Sequence, residues 1–503
     1  MRSLVGFAVL FVVASASAQG FKAVEPIEIK GAQSLIIVPD GWTPEAGGLF
    51  IYAHGYTLDP RTIVPYPADI TPGNIATKLT GGDQLLRIPL TFGYAVATTT
   101  YRSVGWAVAD AVKDIEAVRR YFVKKYGKPK YAYIWGHSEG GMVTEAVLEL
   151  ASKNYDGALP FCAPGAGARR NFNGAFDLRV AYEHVCGSVP EARFLCRVCS
   201  GGSARCLADA DCPTGETCGA AEPAPKPEDG LTRECLDYLL AHPDRLSEAP
   251  VSESFVGQPV ETCFGGATPT AEQAARKDLF MRATQLGESF IQTDLFFASA
   301  GIAEVFHRRT GRKHPWGNTG VNYAAPLLTP DEQVAFNTRA PRVQADARAV
   351  KYLRRFFEPR GKTDVKVLTL HALDDGLVLV QNEEKYREAF LAAGRQDQLV
   401  QLYTDTGGHC GFSIAEHLAV FFALTGWVEQ GTTPTAATTQ AGCEQAIALG
   451  GPCRIMDTTP GEWGSRVVER RQKGAPTRTL VCDGDAVDCP AGNTCNVAKH
   501  RCQ

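Results

Sequence analysis

The stretch YAYIWGHSEGGMVTEAVLEL, residues 131–150, decides the fold that this sequence predicts. Residues Tyr131 to Trp135 form a short apolar and aromatic run that is typical of a buried strand, and Met142 to Leu150 have an apolar helical pattern. Between them, the motif Gly136-His137-Ser138-Glu139-Gly140 has glycines that permit a crowded backbone. The stretch therefore predicts a strand, a sharp turn with Ser138 at its tip, and a helix.

Over most of its length the sequence alternates between short apolar runs and longer helical patterns. The pattern in residues 106–127 predicts a helix before the strand at Tyr131, with Gly127 and Pro129 at its end. The alternation predicts an α/β fold with a mainly parallel sheet and helices on both faces. The other predicted strands are Leu35 to Val38, Leu49 to Ala53, Tyr94 to Thr98, Gly157 to Phe161, Val365 to Leu370 and Leu399 to Tyr403.

This alternation stops between about Gly165 and Lys362 and resumes at Val365. The interrupting segment is rich in cysteine and proline, and we expect it to form a cap or lid. Past Trp427, the composition of TTPTAATTQAG, residues 432–442, predicts a linker. The predicted parts are a signal peptide (1–18), an α/β core (19–164 and 363–431), a cysteine-rich cap insertion (165–362), and a linker with a small disulfide-rich C-terminal module (432–503).

The first twenty residues, MRSLVGFAVLFVVASASAQG, have the pattern of a signal peptide. Arg2 precedes an apolar stretch, and Ala16-Ser17-Ala18 provides a small-residue cleavage site before Gln19. The apolar stretch is too short to span a bilayer, and no later run approaches eighteen uninterrupted apolar residues. We therefore expect a secreted or periplasmic protein without a membrane span.

Of the sixteen cysteines, eight are crowded into the insertion and six into the C-terminal part, and only Cys162 and Cys410 stand elsewhere. In an exported chain such cysteines predict disulfides, and this interpretation is favoured over zinc or redox chemistry at the Cys196 and Cys199 pair. The pattern D-C-P-x-G-x-T-C occurs twice, at residues 211–218 and 488–495. The repetition predicts two copies of one small disulfide-stapled unit, with a structural or adhesive role.

The charge pattern excludes one class of partner. A formal net charge of −4 gives no concentrated basic surface for a nucleic acid, and the basic stretch Arg308 to Lys313 is expected to be a solvated face. The sequence therefore predicts no nucleic-acid partner.

A serine hydroxyl at such a turn becomes a strong nucleophile only when a base accepts its proton. His409 is the preferred base because it lies in a loop at the carboxyl end of a predicted strand. That strand ends at Tyr403, and the loop has the sequence Thr404-Asp405-Thr406-Gly407-Gly408-His409. The other histidines considered lie in the turn itself, the insertion, a helical pattern or the tail: His137, His184, His242, His307, His314, His417 and His500.

A carboxylate is needed to orient the imidazole of His409 and to stabilise its charged form. The segment Leu368-Thr369-Leu370-His371-Ala372-Leu373-Asp374-Asp375-Gly376 supplies two candidates after a predicted strand. We choose Asp375, and Asp374 is the alternative. The resulting order of serine, aspartate and histidine along the chain is that of α/β-hydrolases.

The negative charge that develops on a substrate carbonyl needs backbone donors already in position. One predicted donor is the N–H of Glu139, at the start of the helix after Ser138. The other is expected from His54-Gly55-Tyr56, which follows the strand ending at Ala53, with Tyr56 as the donor. The alternative for this second segment is a plain turn at the end of a strand.

Between about Leu35 and Trp427 the chain resembles the α/β-hydrolase superfamily of esterases, lipases and some exopeptidases. The motifs HGY, GHSEGG, LHALDDGLV and GHCGF occur in the family order. The resemblance implies Ser138 as nucleophile, Asp375 as acid, His409 as base, and Tyr56 and Glu139 as oxyanion donors. Longer segments are similar to bacterial exported hydrolases.

Tannases and fungal-type feruloyl esterases resemble this chain in the cysteine after the catalytic histidine, here Cys410. They pair that cysteine with one directly before the serine, whereas this chain has His137 there. The resemblance to this group is therefore incomplete, and Cys410 is expected to pair with Cys162 or another partner.

The leading functional hypothesis is a serine hydrolase that cleaves carboxylic esters, small or polymer-derived, through an acyl-enzyme. This scheme requires no metal or cofactor. One alternative is a serine exopeptidase, and another is a catalytically inert binding or adhesion protein that uses its cysteine-rich modules. Five aromatic residues of the insertion either line an acyl or aromatic pocket or form the insertion's own core: Phe290, Phe296, Phe297, Phe306 and Trp316.

Overall fold

The computed structural model describes residues 20–58, 85–189, 197–202, 205–206, 209–221, 226–241, 258–325, 327–458, 460, 495–496 and 501–502. The predicted signal peptide lies outside the described residues, as does Cys196 of the CxxC pair.

A nine-stranded sheet forms the centre of the protein, in the order β1-β2-β4-β3-β5-β6-β10-β11-β12. The six strands from β4 to β11 in this order are parallel, while β2 and β12 run antiparallel to their neighbours. The strands are β1 (Phe21–Ile29), β2 (Ala32–Pro39), β3 (Gly48–Ala53), β4 (Ala95–Thr99), β5 (Tyr131–His137), β6 (Gly157–Phe161), β7 (Arg197–Cys199), β8 (Arg205–Cys206), β9 (Cys218–Ala221), β10 (Lys366–Asp374), β11 (Leu399–Gly407), β12 (Ile455–Met456), β13 (Cys495–Asn496) and β14 (Arg501–Cys502).

All seven predicted strands are present, and the α/β-hydrolase fold is confirmed by the strand order and by the mainly parallel pairing. Strand β1 was not predicted from the sequence. Most of its residues are half-buried, so it lacks a distinct apolar run, and its place at the sheet edge comes from antiparallel pairing with β2.

Helices cover both faces of the sheet. No helix in the described part of the chain is long and apolar enough to cross a membrane. The helices are α1 (Arg87–Thr91), α2 (Val108–Tyr126), α3 (Glu139–Ala151), α4 (Ala168–Cys186), α5 (Arg233–Ala241), α6 (Gln258–Phe264), α7 (Ala271–Thr284), α8 (Ile291–Glu304), α9 (Pro330–Arg339), α10 (Ala347–Arg355), α11 (Asn382–Ala393), α12 (Ile414–Gln430) and α13 (Ala436–Gly450).

Successive side chains of the central strands enter two different cores. In β3, Leu49 and Ile51 pack in the core that contains α2 and α3, whereas Phe50 and Tyr52 pack in the core that contains α12. Because the side chains of a strand alternate between the two faces of a sheet, a strand covered on both faces must be apolar at every position. This explains the uninterrupted apolar runs in the sequence.

The insertion between β6 and β10 is mainly helical, from α4 to α10. Helices α4 and α8 pack against each other, and the fully buried Arg179 of α4 donates hydrogen bonds to Ser299 Oγ (2.5 Å) and to the Pro227 carbonyl (2.8 Å). A disulfide between Cys186 and Cys263 joins the end of α4 to α6. The insertion thus has buried polar and covalent links of its own.

The first cysteine-rich repeat forms a three-stranded sheet, β8-β7-β9. Two disulfides staple it, Cys199–Cys212 and Cys206–Cys218, so the predicted disulfide chemistry is confirmed there. In the second copy, β13 and β14 pair antiparallel, and the rest of that copy lies outside the described residues. The two remaining disulfides in the described part of the chain are Cys162–Cys410 and Cys443–Cys453.

The linker prediction for residues 432–442 is wrong from residue 436 onward, because residues 436–442 belong to helix α13 (Ala436–Gly450). The side chain of Thr435 accepts a hydrogen bond from the Thr438 N–H at the start of the helix, which packs on α12, and Cys443 is fully buried. After the disulfide to Cys453, strand β12 pairs with β11 and extends the central sheet. Threonine- and alanine-rich composition is shared by linkers and capped helices, so the tertiary contacts decide between them.

Arg454, just before β12, fastens this C-terminal segment to the loop that carries His409. Its guanidinium forms a two-nitrogen ion pair with the buried Glu416 carboxylate at 3.0 Å and donates to Thr406 Oγ1 (2.6 Å). The same guanidinium donates to the Gly411 carbonyl at 3.3 Å. A planar guanidinium with several fixed donors suits this role better than a lysine would.

We expect Arg454→Ala to lower the free energy of unfolding by about 3 kcal/mol, because the buried Glu416 carboxylate would lose its cationic partner. Urea denaturation would measure the change. The matched control is Arg395→Ala, since Arg395 pairs with Asp364 while both side chains are largely exposed, and we expect a loss below about 1 kcal/mol. Equal losses in the two variants would contradict this role for Arg454.

Candidate active site

Ser138 lies at the sharp turn between β5 and α3, as the sequence predicts. Its backbone has φ 58° and ψ −122°, a strained conformation for a residue with a side chain. A Cβ at Gly136 would lie 2.6 Å from the carbonyl oxygen of Ala53, at the end of β3, and a Cβ at Gly140 would lie 2.1 Å from the same oxygen. Both motif glycines are therefore required by the close approach of the turn to β3.

The structure brings Ser138, His409 and Asp375 together from three separate loops. His409 Nε2 lies 2.8 Å from Ser138 Oγ, and His409 Nδ1 lies 2.7 Å from Asp375 Oδ2. The other carboxylate oxygen of Asp375 accepts hydrogen bonds from the N–H groups of Leu377 (3.0 Å) and Val378 (2.9 Å). These bonds fix the carboxylate so that one oxygen faces His409.

The two aspartates at the end of β10 have different surroundings. Asp375 is only 3% exposed and contacts His409, whereas the side chain of Asp374, the alternative candidate, lies on the exposed side. Adjacent residues at the end of a strand point in different directions, and so only one of the pair can face the histidine.

The His409 loop is linked covalently to the neighbouring strand. Cys410 forms a disulfide with Cys162, which directly follows β6 and is fully buried. Of the partners that the sequence left open for Cys410, the structure selects Cys162. The bridge runs to the end of β6 instead of to position 137, which is occupied by histidine.

The loop after β3 lies beside the turn at Ser138. A Cβ at Gly55 would lie 3.2 Å from the His137 carbonyl oxygen and 3.4 Å from the Ser138 Cβ. The Tyr101 hydroxyl donates to the His54 carbonyl (3.1 Å) and holds this loop in place. Both predicted donor residues, Tyr56 and Glu139, line the same cavity as Ser138.

The side chain of Glu139 has a role that the sequence analysis did not identify. Its buried carboxyl group accepts a hydrogen bond from the Ala107 N–H at 2.6 Å, at the start of α2. Glu304, at the end of α8, accepts from the neighbouring Trp106 N–H (3.0 Å) and pairs with Arg309 (2.7 Å). Burial raises the pKa of Glu139 well above its ordinary value. Two acidic side chains, one from the core and one from the insertion, thus hold the loop before α2.

A cavity of about 330 Å³ opens above Ser138 and His409. Its walls come from the core and from α4 and α8 of the insertion, and they are mostly apolar. Five aromatic side chains line it: Tyr56, Trp106, Phe172, Phe296 and Phe297. Phe296 and Phe297 are thus the two aromatic residues singled out from the insertion that reach the cavity.

The other aromatic residues considered in the insertion do not line this cavity. The ring of Phe306 stacks on His314 with 4.5 Å between centroids, and Trp316 is fully buried near Phe172. Phe290 packs close to Gly376. The cavity interpretation therefore holds for Phe296 and Phe297 and the core interpretation for Phe306 and Trp316, whereas Phe290 packs at the boundary with the α/β core.

Two hydrogen-bonded histidines, the half-buried His137 and the buried His417, lie near Ser138. His417 Nδ1 is 2.8 Å from the Ser413 carbonyl oxygen, which can only accept, and so Nδ1 carries the proton. The bare Nε2 of His417 then accepts from His137 Nε2 at 2.9 Å, and His137 Nδ1 faces the Tyr52 hydroxyl at 3.5 Å. This chain of hydrogen bonds joins the Ser138 turn to the first turn of α12, which follows the His409 loop.

Two groups of potential metal ligands occur among the described residues, Cys162 with His409 and Cys410, and Cys199 with Cys206 and Cys212. All the cysteines in both groups are bonded in disulfides. A disulfide sulfur carries no thiolate charge, and thiolates are the form of cysteine that binds metals.

The histidine pair predicts a pH dependence of stability. Burial lowers the pKa of His417 below its ordinary value of 6.5, and burial together with His417 and His409 lowers that of His137 further. The unfolded chain binds these protons first as the pH falls below 6.5, so the folded state loses stability from there downward. In His417→Gln, the amide oxygen can still accept from His137 but does not titrate.

We expect the loss of unfolding free energy between pH 7 and pH 5 to be smaller in His417→Gln by about 1–2 kcal/mol, which chemical denaturation at each pH would measure. All other titrating groups, His137 included, are shared with the unmodified protein, so the difference reports the contribution of His417. An unchanged pH dependence would contradict the neutral state of His417.

Comparisons with known proteins gave matches to solved structures alone, among them three at low identity. No protein-family model matches the chain, and no curated protein matches it. Among solved structures, the rice cell wall degrading esterase LipA from Xanthomonas oryzae is 14% identical, with 81% of this chain and 89% of that chain covered and a TM-score of 0.36. The acylaminoacyl peptidase of Pyrococcus horikoshii is 9% identical, with 78% and 38% covered and a TM-score of 0.34. The Pyrococcus furiosus esterase Pf2001 is 10% identical, with 78% and 85% covered and a TM-score of 0.31.

Proposed function

We propose that this protein is an exported serine hydrolase that cleaves carboxylic esters through an acyl-enzyme on Ser138. The observation that carries the proposal is the pair of hydrogen bonds from Ser138 to His409 (2.8 Å) and from His409 to Asp375 (2.7 Å), at the floor of a mostly apolar cavity. A serine, a histidine and a buried carboxylate in this order are the parts that acyl transfer needs.

The hydrogen bonds define the protonation state in which the reaction begins. Asp375 accepts from His409 Nδ1–H, which leaves Nε2 free to accept the Ser138 hydroxyl proton. Ser138 Oγ attacks the ester carbonyl carbon while this proton moves to His409 Nε2. The protonated histidine, stabilised by Asp375, then gives the proton to the departing alcohol oxygen.

The same histidine and serine atoms release the acyl group, with water in the place of the alcohol. His409 Nε2 accepts a proton from a water molecule, whose oxygen attacks the acyl carbon, and the proton returns to Ser138 Oγ as the acid leaves. The backbone N–H of Glu139, in the first turn of α3, and the backbone N–H of Tyr56 stabilise the negatively charged oxygen at each step. The carboxyl group of Glu139 supports the site separately, through its hydrogen bond to Ala107.

Disulfides support a location outside the cytosol. Five lie within the described residues, and such bonds persist in oxidising compartments. The insertion, residues 165–362, acts as the cap of the active site, which is supported by the cavity residues that α4 and α8 supply.

The first test is labelling of the purified protein with a fluorophosphonate probe. We expect rapid covalent labelling that is lost in Ser138→Ala, because only a serine activated by a base attacks such a probe. Hydrolysis assays with ester and peptide panels would then separate the esterase from the exopeptidase. A folded protein that does not label would contradict the proposal and favour the inert binding protein.

The second test compares two neighbouring substitutions. Asp375→Asn is expected to lower kcat by about 10⁴-fold, because the amide does not stabilise the imidazolium or hold the same tautomer of His409. Asp374→Asn, the matched control, changes an exposed carboxylate and should alter kcat less than about twofold. Circular dichroism would establish that both variants fold. A large effect of Asp374→Asn with little effect of Asp375→Asn would contradict the assignment.

A further inference from the structure

Four of the aromatic rings that line the cavity form a continuous series across the boundary between core and insertion. Tyr56 meets Phe297 edge to face with 5.4 Å between ring centroids, and Phe297 lies 6.1 Å from Phe172. Phe172 meets Trp106 edge to face at 5.0 Å. Tyr56 and Trp106 belong to the core, and the two phenylalanines belong to α4 and α8, so neither part of the chain forms this wall alone.

Of these four rings, only Tyr56 and Trp106 carry a polar atom, and the buried Tyr56 hydroxyl has no hydrogen-bond partner among the described residues. The single polar atom of Trp106, Nε1, already donates to the Phe356 carbonyl at 2.7 Å. Phe172 is almost fully buried, whereas Phe296 and Phe297 are only half-buried and line the cavity. The half-buried rings therefore keep surface for a further contact.

A planar aromatic group gains more from such a wall than a saturated group of similar size. Aromatic rings carry a negative face and a positive edge, and they prefer the edge-to-face or offset geometry already present between these side chains. A substrate ring extends this arrangement, while a cyclohexane ring gains only from burial. The additional gain of about 0.5–1.5 kcal/mol for each aromatic pair corresponds to roughly 2- to 13-fold in kcat/KM.

Cavity size also favours a compact group. A volume of about 330 Å³ is near the lower end of the range of about 300–1,000 Å³ for small-molecule pockets. A short acyl group with one ring fits this size better than a long extended chain.

We propose that the substrates are esters of short arylalkanoic or related aromatic acids, with the aromatic ring held against Phe297 of the insertion and Tyr56 of the core, the two half-buried rings of the series. This inference rests on the proposed ester hydrolysis and specifies its substrate class. Phe297 is the principal specificity residue, because it is half-buried and belongs to the series of ring contacts.

The test compares methyl phenylacetate, methyl cyclohexylacetate and methyl octanoate, with the released acid measured by titration at constant pH. All three substrates are methyl esters, so the leaving alcohol carries no aromatic ring that could occupy the cavity. In the first two acids the ring is separated from the carbonyl by a methylene group, so it is not conjugated with the carbonyl. We expect kcat/KM to be about 2- to 13-fold higher for the phenyl ester than for the cyclohexyl ester. A ratio at or below one, or a preference for octanoate, would overturn the proposal.

Phe297→Leu keeps an apolar side chain but removes the ring, and we expect it to bring the phenyl-to-cyclohexyl ratio close to one. The matched control is Phe306→Leu, also in the insertion, which stacks on His314 and lies outside the cavity lining. This control should leave the ratio unchanged. An equal change of the ratio in both variants would overturn the role of Phe297.

A binding measurement separates this inference from the proposed function. In Ser138→Ala, which lacks the nucleophile, we expect methyl phenylacetate to raise the melting temperature more than methyl cyclohexylacetate does. If the unmodified protein hydrolyses no ester but this difference persists, the proposed function fails while the aromatic site stands. If hydrolysis depends on Ser138 and neither measurement favours the phenyl ester, the aromatic site fails while the proposed function stands.

Discussion

The arrangement of the site depends on the close approach between the Ser138 turn and the end of β3. Ser138 adopts a positive φ, and there is no space for a side chain at Gly136 or Gly140 because the Ala53 carbonyl oxygen lies next to both. With this contact in place, the hydroxyl of Ser138 projects from the carboxyl edge of the sheet. The loop containing Tyr56 is held against the same turn.

Opposite Ser138, the His409 loop is held from three directions. The Cys162–Cys410 disulfide fastens it to β6, and Arg454 ties it to β12. The hydrogen bond from His137 to His417 joins the helix after the loop to the strand before Ser138. Each link belongs to a different part of the fold, so the 2.8 Å contact between Ser138 and His409 depends on the sheet, α12 and the C-terminal segment together.

Much of the core could be predicted from local patterns. The seven strands were found because a strand covered on both faces must be apolar throughout, and α2 because its apolar residues recur at helical spacing. Strand β1 and helix α13 were not found, since β1 is half-buried and α13 has the composition of a linker. The carboxyl groups of Glu139 and Glu304 were also missed, because their partners are backbone N–H groups distant in sequence.

The sequence by itself determined the order of the elements and the residues from which a site can be built, because apolar periodicity and the glycines around Ser138 act over a few residues. It left open Asp374 or Asp375, the partner of Cys410, and whether the insertion's aromatic residues form a core or a pocket. Tertiary structure decided each of these: Asp375 faces His409, Cys162 meets Cys410, and Phe296 and Phe297 line the cavity. The physical reason is that side-chain direction and burial depend on contacts between segments that lie far apart in the chain.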